Sequence, residues 1–199
     1  MSQSPPATIL AVFLDRDGVL SEDNDMVTRA EQLRLLPGVV TALGDLKQAG
    51  FALVAISNQA VVARGLVAEA DVATINDHLD RLLQAEGAPP LDGWYVCPHH
   101  PNATLPAYRL NCECRKPKPG LLLRAAKELD INLTGSFMVG DRMTDVLAGH
   151  RASCRTVLVQ TGKHTEPPIE TSEALDMSVQ PDHICADLAE AAKWILKQR

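Results

Sequence analysis

"TILAVFLDRDGV", residues 8–19, runs without a polar break from Thr8 to Leu14 and then turns abruptly into an acid, a base, a second acid and a glycine. An apolar run this short is what a strand buried on both faces looks like, and such strands occur in parallel sheets covered by helices. The rest of the chain repeats the pattern. "FALVAIS" (51–57), "GWYVC" (93–97), "SFMVG" (136–140) and "RTVLVQTG" (155–162) read as further strands. Between them, apolar residues recur at helical spacing. Val39, Leu43 and Leu46 form one face closed by Gly50, and Val72, Ile75, Leu79, Leu82 and Leu83 mark a long helix over roughly 69–86. Leu122, Ala125, Ala126 and Leu129 form another helix face, as do Met143, Val146 and Leu147, and Leu188, Ala191, Ala192 and Ile195 close the chain with a last helix. Strands alternating with helices predict a doubly wound, Rossmann-like parallel α/β sheet.

At 199 residues and 46% apolar content the chain suits one domain spanning 1–199. Residues 1–7 read as a disordered lead-in, and 163–183, rich in Pro, Glu, Thr and Ser, as an irregular surface segment. Nineteen basic against twenty-five acidic residues leave a net charge of −6, which argues against nucleic-acid binding. No apolar run approaches the ~18 residues that cross a bilayer. "MSQSPPATIL" lacks the basic and apolar regions of a signal peptide, and five cysteines are too few for a secreted disulfide scaffold. The expectation is a soluble, reduced, cytoplasmic domain, taken as a monomer, with neither membrane nor nucleic acid as partner.

In doubly wound sheets, ligands bind beyond the carboxyl ends of the strands. The predicted strands end at Asp15, Ser57, Cys97 and Asp141, so the polar residues gather at one edge. Asp15 and Asp17 lie two apart and can project to one side of an extended chain. Asp141 and Asp145 of "VGDRMTD" lie four apart, on one side of a first helical turn. Acids held close need a cation, a shared proton or separate surroundings, and a few carboxylates suit Mg²⁺ shared with phosphate. Asp141 also suits a helix cap, and Asp15 to Asp17 a turn. Ser57 and Asn58 can cradle a phosphoryl group, or simply cap. Arg115, Lys116 and Lys118 of "CRKPKPG" bring positive charge before a helix, with Lys118 expected in solvent. Three cysteines and two histidines crowd "CPHHPNATLPAYRLNCECRKPKPG" (97–120), whereas Cys154 and Cys185 stand alone and read as core.

In this order, "DRDGV", "SNQ", "RKPKPG" and "GDRMTD" resemble the four motifs of the haloacid dehalogenase (HAD) superfamily of aspartate-nucleophile phosphatases. The "CPHH…CEC" loop narrows the resemblance to the subgroup that contains D-glycero-D-manno-heptose 1,7-bisphosphate phosphatase and histidinol phosphatase. The resemblance implies a HAD core without a large cap domain, and a zinc-bound loop over 97–116 held by Cys97, His99, Cys112 and Cys114, a ligand set that fits a closed tetrahedral site. It implies Asp15 as nucleophile, Asp17 as acid and base, and Ser57 and Lys116 as stabilisers of the transferring phosphoryl group. Asn58, Gln59 and Arg115 would contact substrate, and Mg²⁺ would be held by Asp15, the Asp17 carbonyl and Asp141, with Asp145 in support.

Fourteen residues separate Cys97 from Cys112, as in the heptose enzymes and unlike the shorter loop of histidinol phosphatases. The implied reaction is therefore removal of the 7-phosphate from heptose 1,7-bisphosphate, with histidinol phosphate as the second choice. The chain reads "SNQAVVARG" where the family usually reads "TNQSGIARG", and Asp25 to Val27 stand where it carries "GYV". These changes keep a non-catalytic binding protein on the HAD fold as a third reading.

Overall fold

The computed structural model describes residues 9–166, 175–176 and 178–198. The lead-in expected over 1–7 lies outside these residues, as do 167–174 and 177 of the expected surface segment. Six parallel strands form one sheet: β1 (Ala11–Leu14), β2 (Ala52–Asn58), β3 (Gly93–Cys97), β4 (Phe137–Gly140), β5 (Arg155–Val159) and β6 (His183–Cys185). Their order across the sheet is β3-β2-β1-β4-β5-β6. The chain winds outward from β1 in one direction, then returns to β4 and winds outward in the other. The reversal lies between β1 and β4, where such sheets open a crevice at the strand ends.

Alternate residues of each central strand serve opposite faces, as the period-2 geometry of a strand requires. Val12 and Leu14 of β1, Leu53 and Ala55 of β2, and Phe137 and Val139 of β4 join one core. That core is closed by α1 (Val39–Gln48), α3 (Glu69–Ala85) and α6 (Leu188–Leu196). Ala11, Phe13, Val54, Ile56 and Met138 join the other, under α4 (Gly120–Leu129) and α5 (Met143–Arg151). Neither face is left to solvent, which explains why the strands read as continuous apolar runs. On the second face, α5 approaches the sheet at Gly149, where an added Cβ would come within 2.6 Å of Met138 Cβ and 2.8 Å of Thr156 Cγ2. At α6, the Asp187 side chain accepts a hydrogen bond from Glu190 N at 2.9 Å and caps the helix.

Most of the expected elements are present with ends moved by a residue or more. The strand expected over 8–14 begins at Ala11, because Ile9 makes only an isolated bridge to Ile131. Among the α-helices and strands of the described residues, two were not expected. One is the four-residue helix α2 (Ala60–Ala63), and the other is β6, which falls partly inside the segment expected to be irregular. Three residues of mixed polarity give β6 no periodicity to read. Its place is fixed by pairing of Val157 with His183 and by the His183 ring stacked on Trp194 at 4.8 Å. No helix of the described residues is long and apolar enough to cross a membrane.

Candidate active site

Asp15 is the first residue beyond β1, and its N–H still donates to Val139 O of β4 at 3.0 Å, so the sheet fixes its backbone. One Asp15 oxygen accepts from Arg16 N at 2.8 Å and lies 2.9 Å from Lys116 Nζ. The same ammonium reaches Asp145 Oδ1 at 2.7 Å and donates to Ile56 O at 2.9 Å. Its three protons thus have three acceptors, and the side chain is only 2% exposed. Burial works against the charge, but Asp145 and Asp15 more than offset it and hold Lys116 above its ordinary range.

The acids outnumber this cation. Oxygens of Asp15, Asp141 and Asp145 all lie within 4.8 Å of one another. Burial, which the other acids reinforce, pushes Asp15 up to about 8, with Lys116 pulling the opposite way. Burial and Asp145 push Asp141 up to about 7. One Asp141 oxygen accepts from Lys163 N at 2.7 Å, while the other is buried with no hydrogen-bond partner. A buried lone pair without a donor, in a cluster two negative charges in excess when ionised, is what a divalent cation completes. The residues fit Mg²⁺. The surrounding backbone makes room for it at Gly18, whose φ of +80° suits glycine and where a Cβ would come within 2.6 Å of Asp141 Oδ2. The Asp145 side chain also accepts from Arg142 N at 3.0 Å, which ties it to the start of α5.

Asp17 stands apart from that cluster. Its two oxygens take a forked ion pair from Arg16, at 3.0 Å from Nε and 2.8 Å from Nη2. Arg16 is itself 1% exposed, and its remaining donors go to Gln59 Oε1 at 3.0 Å and Asn76 Oδ1 of α3 at 3.1 Å. Arg16 and Asn76 are site residues that the sequence reading missed. The only signal for Arg16 was its position between two acids, where a solvated charge is the default expectation.

Ser57 and Asn58 end β2, and Gln59 follows. Asn58 and Gln59 line the cavity, with Ser57 buried beneath them, and both amides are engaged with protein groups. Gln59 Nε2 donates to Ser57 Oγ at 2.8 Å and to Asp17 Oδ2 at 3.0 Å, so Gln59 bridges those two side chains. Asn58 exchanges two hydrogen bonds with the Lys116 backbone, each 3.1 Å. Both residues, expected as substrate contacts, line the cavity while their amides engage protein groups. Lys118, expected in solvent, pairs with Glu113 at 2.9 Å and is half-buried.

The loop that carries Lys116 is held at its other end by sulfur. Cys97 ends β3, and its carbonyl accepts from Gln59 N at 2.8 Å. Cys114 Sγ lies 3.0 Å from Cys97 Sγ, 3.1 Å from Cys112 Sγ and 3.3 Å from His99 Nδ1. None of the three cysteines is in a disulfide. Hydrogen bonding from Cys97 is the main cause that brings the Cys114 thiol down to about 5, a thiolate at neutral pH. Three thiols and an imidazole with all ligand atoms within 4.8 Å of one another are the donor set of a structural zinc site, so the cluster could hold zinc. His99 belongs to it; His100 instead lines the cavity and accepts from Asn102 N at 3.1 Å. Arg115, between Cys114 and Lys116, donates to His99 O at 3.0 Å and faces the same cavity of about 290 Å³.

A stability prediction follows from the raised carboxyls. Asp15 and Asp141 keep their protons in the folded chain to about 8 and about 7, but lose them near 4 when unfolded. Between those values the folded state binds more protons, so in Mg²⁺-free buffer these groups lower stability as pH rises from about 4 to 8, by at most ~1.4 kcal/mol per pH unit each. Urea unfolding at pH 5, 6.5 and 8, with Asp15→Asn for comparison, measures the slope. The variant should show a shallower fall; an identical slope would contradict the assignment to Asp15.

Comparison with known proteins gives the same grouping. The HAD-hydrolase-like family model matches residues 113–191. The D-glycero-beta-D-manno-heptose-1,7-bisphosphate 7-phosphatase of Photorhabdus laumondii is 42% identical over 190 residues, 95% of this chain and 98% of the relative. The protein of the same name from Escherichia coli K12 is 39% identical over 200 residues, covering 100% of this chain and 98% of its own. Among solved structures, the D,D-heptose 1,7-bisphosphate phosphatase of B. bronchiseptica, complexed with magnesium and phosphate, superposes with a TM-score of 0.79 at 32% identity, over 96% of this chain and 100% of that one. The chain belongs to the HAD-like hydrolases and, among them, to the heptose 1,7-bisphosphate phosphatase family.

Proposed function

We propose that the chain is a Mg²⁺-dependent phosphatase that removes the 7-phosphate of D-glycero-D-manno-heptose 1,7-bisphosphate through an aspartyl-phosphate. The observation that carries this reading is the buried Lys116 held between Asp15 and Asp145 at the floor of the cavity. An anionic nucleophile meets an anionic phosphate only where fixed positive charge offsets both. Asp15 attacks phosphorus, its oxygen–phosphorus bond forms, and the bond to the sugar oxygen breaks. Asp17 donates a proton to that leaving oxygen, then takes one from the water that attacks phosphorus and restores the Asp15 carboxylate. Arg16 and Gln59 hold Asp17 in the orientation for both transfers. Lys116 and Ser57 steady the phosphoryl oxygens. Asp15, the Asp17 carbonyl and Asp141 would hold Mg²⁺, which would supply further positive charge beside the ionised Asp15 and the phosphate.

The zinc role is structural on this reading. Cys114 and Arg115 are consecutive, and Lys116 is next, so ligation at Cys114 fixes the two cations that follow. The length of the loop and the two relatives' names favour the heptose substrate over histidinol phosphate. Retention of Asp15, Asp17 and Lys116 in one cavity favours an enzyme over a non-catalytic binding protein. The chain is read as a cytoplasmic monomer with no macromolecular partner.

Two experiments test this reading. Phosphate release from both anomers of heptose 1,7-bisphosphate and from histidinol phosphate should give a kcat/KM of about 10⁴ M⁻¹s⁻¹ or more on a heptose anomer. Asp15→Asn should lower it by about 10³-fold or more; turnover by that variant at the wild-type rate would rule out the nucleophile. Elemental analysis of the purified protein should find about one zinc per chain, and Cys112→Ser should lose that metal together with several degrees of Tm. A zinc-free native protein of unchanged stability would remove the metal from the proposal.

A further inference from the structure

The buried residues of α3 are Val72, Ile75, Asn76, Leu79 and Leu83. Four are aliphatic and one is an amide. Asn76 is 4% exposed, and a buried amide is costly unless its hydrogen bonds are made. Its oxygen accepts from Arg16 Nη1 at 3.1 Å, across 60 residues of chain. Neither residue lines the cavity around Asp15, and Asn76 borders a second one of about 230 Å³ with Trp94 and Val96 of β3. The pair therefore reaches a bound substrate only through the groups that Arg16 holds, Asp17 and Gln59.

Those contacts load the Asp17 carboxyl unevenly. Asp17 Oδ2 accepts from Arg16 Nη2 at 2.8 Å and from Gln59 Nε2 at 3.0 Å, which uses both of its lone pairs. Asp17 Oδ1 accepts from Arg16 Nε at 3.0 Å. Its other neighbour is the Ser21 hydroxyl at 3.5 Å, which also reaches Arg16 O at 3.4 Å. Oδ1 is thus the oxygen with a lone pair to spare for a proton. A guanidinium fork is planar, so its plane sets the plane of the carboxyl and with it the direction of that lone pair. Beyond Asp17, two side chains hold the fork: Gln59 Oε1 on Nη2 at 3.0 Å, and Asn76 Oδ1 on Nη1. Gln59 belongs to the cavity, whereas Asn76 ties the fork to a 17-residue helix packed into the core.

We propose that Asn76 is a positioning residue, which through Arg16 aims Asp17 Oδ1 at the leaving oxygen. As the bond from phosphorus to the sugar oxygen breaks, its electron pair takes the proton from Oδ1, and the same fork holds the carboxylate left behind. The inference rests on the acid role of Asp17 given above and adds to it the helix residue on which the aim depends.

Dependence on the leaving group separates aim from fold. A sugar oxygen needs a proton to depart, whereas dinitrophenolate departs as the anion, and kcat/KM covers the steps up to that departure. Wild type, Asn76→Ala, Asn76→Asp and Asp17→Asn are compared on heptose 1,7-bisphosphate and on dinitrophenyl phosphate. Far-ultraviolet circular dichroism checks folding, and Asn76→Leu, closer in volume, replaces Asn76→Ala should the smaller side chain not fold. Asn76→Ala should lower kcat/KM on the bisphosphate by about 10- to 100-fold, mostly through kcat, and on the dinitrophenyl ester by no more than about threefold. Asn76→Asp, which keeps an oxygen to accept from Arg16, should recover part of the loss. Equal losses on both substrates, a loss confined to KM, or no loss on the bisphosphate would overturn the role of Asn76. An Asp17→Asn variant that loses equally on both substrates would instead overturn the acid reading, and a wild type inactive on both would overturn the phosphatase reading.

Discussion

The site is organised by one buried ammonium. Lys116 Nζ lies 2.9 Å from Asp15 and 2.7 Å from Asp145, with its third proton on Ile56 O. Taking a lysine out of water costs several kcal/mol unless its charge is met, and here Asp145, Asp15 and Ile56 O each accept one of its protons. Each partner belongs to a different part of the fold: Asp15 follows β1, Ile56 is in β2 and Asp145 is in the first turn of α5. The ion pairs therefore close the crevice across the topological reversal. They also fix the register of the loop that delivers Lys116, which Asn58 clamps by its backbone and the Cys97–Cys114 cluster holds from the other side.

A second consequence is electrostatic. One lysine among three acids leaves the centre short of positive charge, and the shortage explains the raised Asp15 and Asp141 carboxyls and the unpartnered Asp141 oxygen. A chain of net charge −6 can thus bind a multiply charged anion, because the relevant charge is local. Cations are distributed within one cavity: Lys116 at the acids, Arg142 and Lys163 on the Asp23 and Asp25 loop, and Arg115 on the His99 carbonyl of the cysteine-bearing loop. Asp17 is forked by Arg16 whereas Asp15 faces Lys116 and the acidic cluster, so two nearby carboxylates experience different surroundings and can take different roles.

The parallel sheet was legible in the sequence because burial on both faces leaves continuous apolar runs, as in AVFL of β1. The gathering of Asp15, Ser57, Cys97 and Asp141 at one edge followed from chain direction alone, since every strand of a parallel sheet ends on the same side. What depended on contacts between distant residues was not legible. β6 is three residues long and owes its place to β5 and Trp194. Arg16 reads as a surface charge in the sequence, yet its fork is buried among Asp17, Gln59 and Asn76, the last contributed from 60 residues away. Asn58 and Gln59 were identifiable as site residues, but which atoms their amides engage depends on where Lys116 and Asp17 arrive in space.

The most direct test of this electrostatic shortage is calorimetric titration of Mg²⁺ into the zinc-loaded protein at pH 6, 7 and 8, in pairs of buffers with different ionisation enthalpies. If Asp15 and Asp141 hold protons up to about 8 and about 7 in the metal-free site, Mg²⁺ must displace them. One ion should bind per chain with net proton release near pH 7, and the affinity should rise by about tenfold or more between pH 6 and 8. Binding with no proton release and an affinity flat across that range, or no saturable binding at all, would contradict a centre short of positive charge.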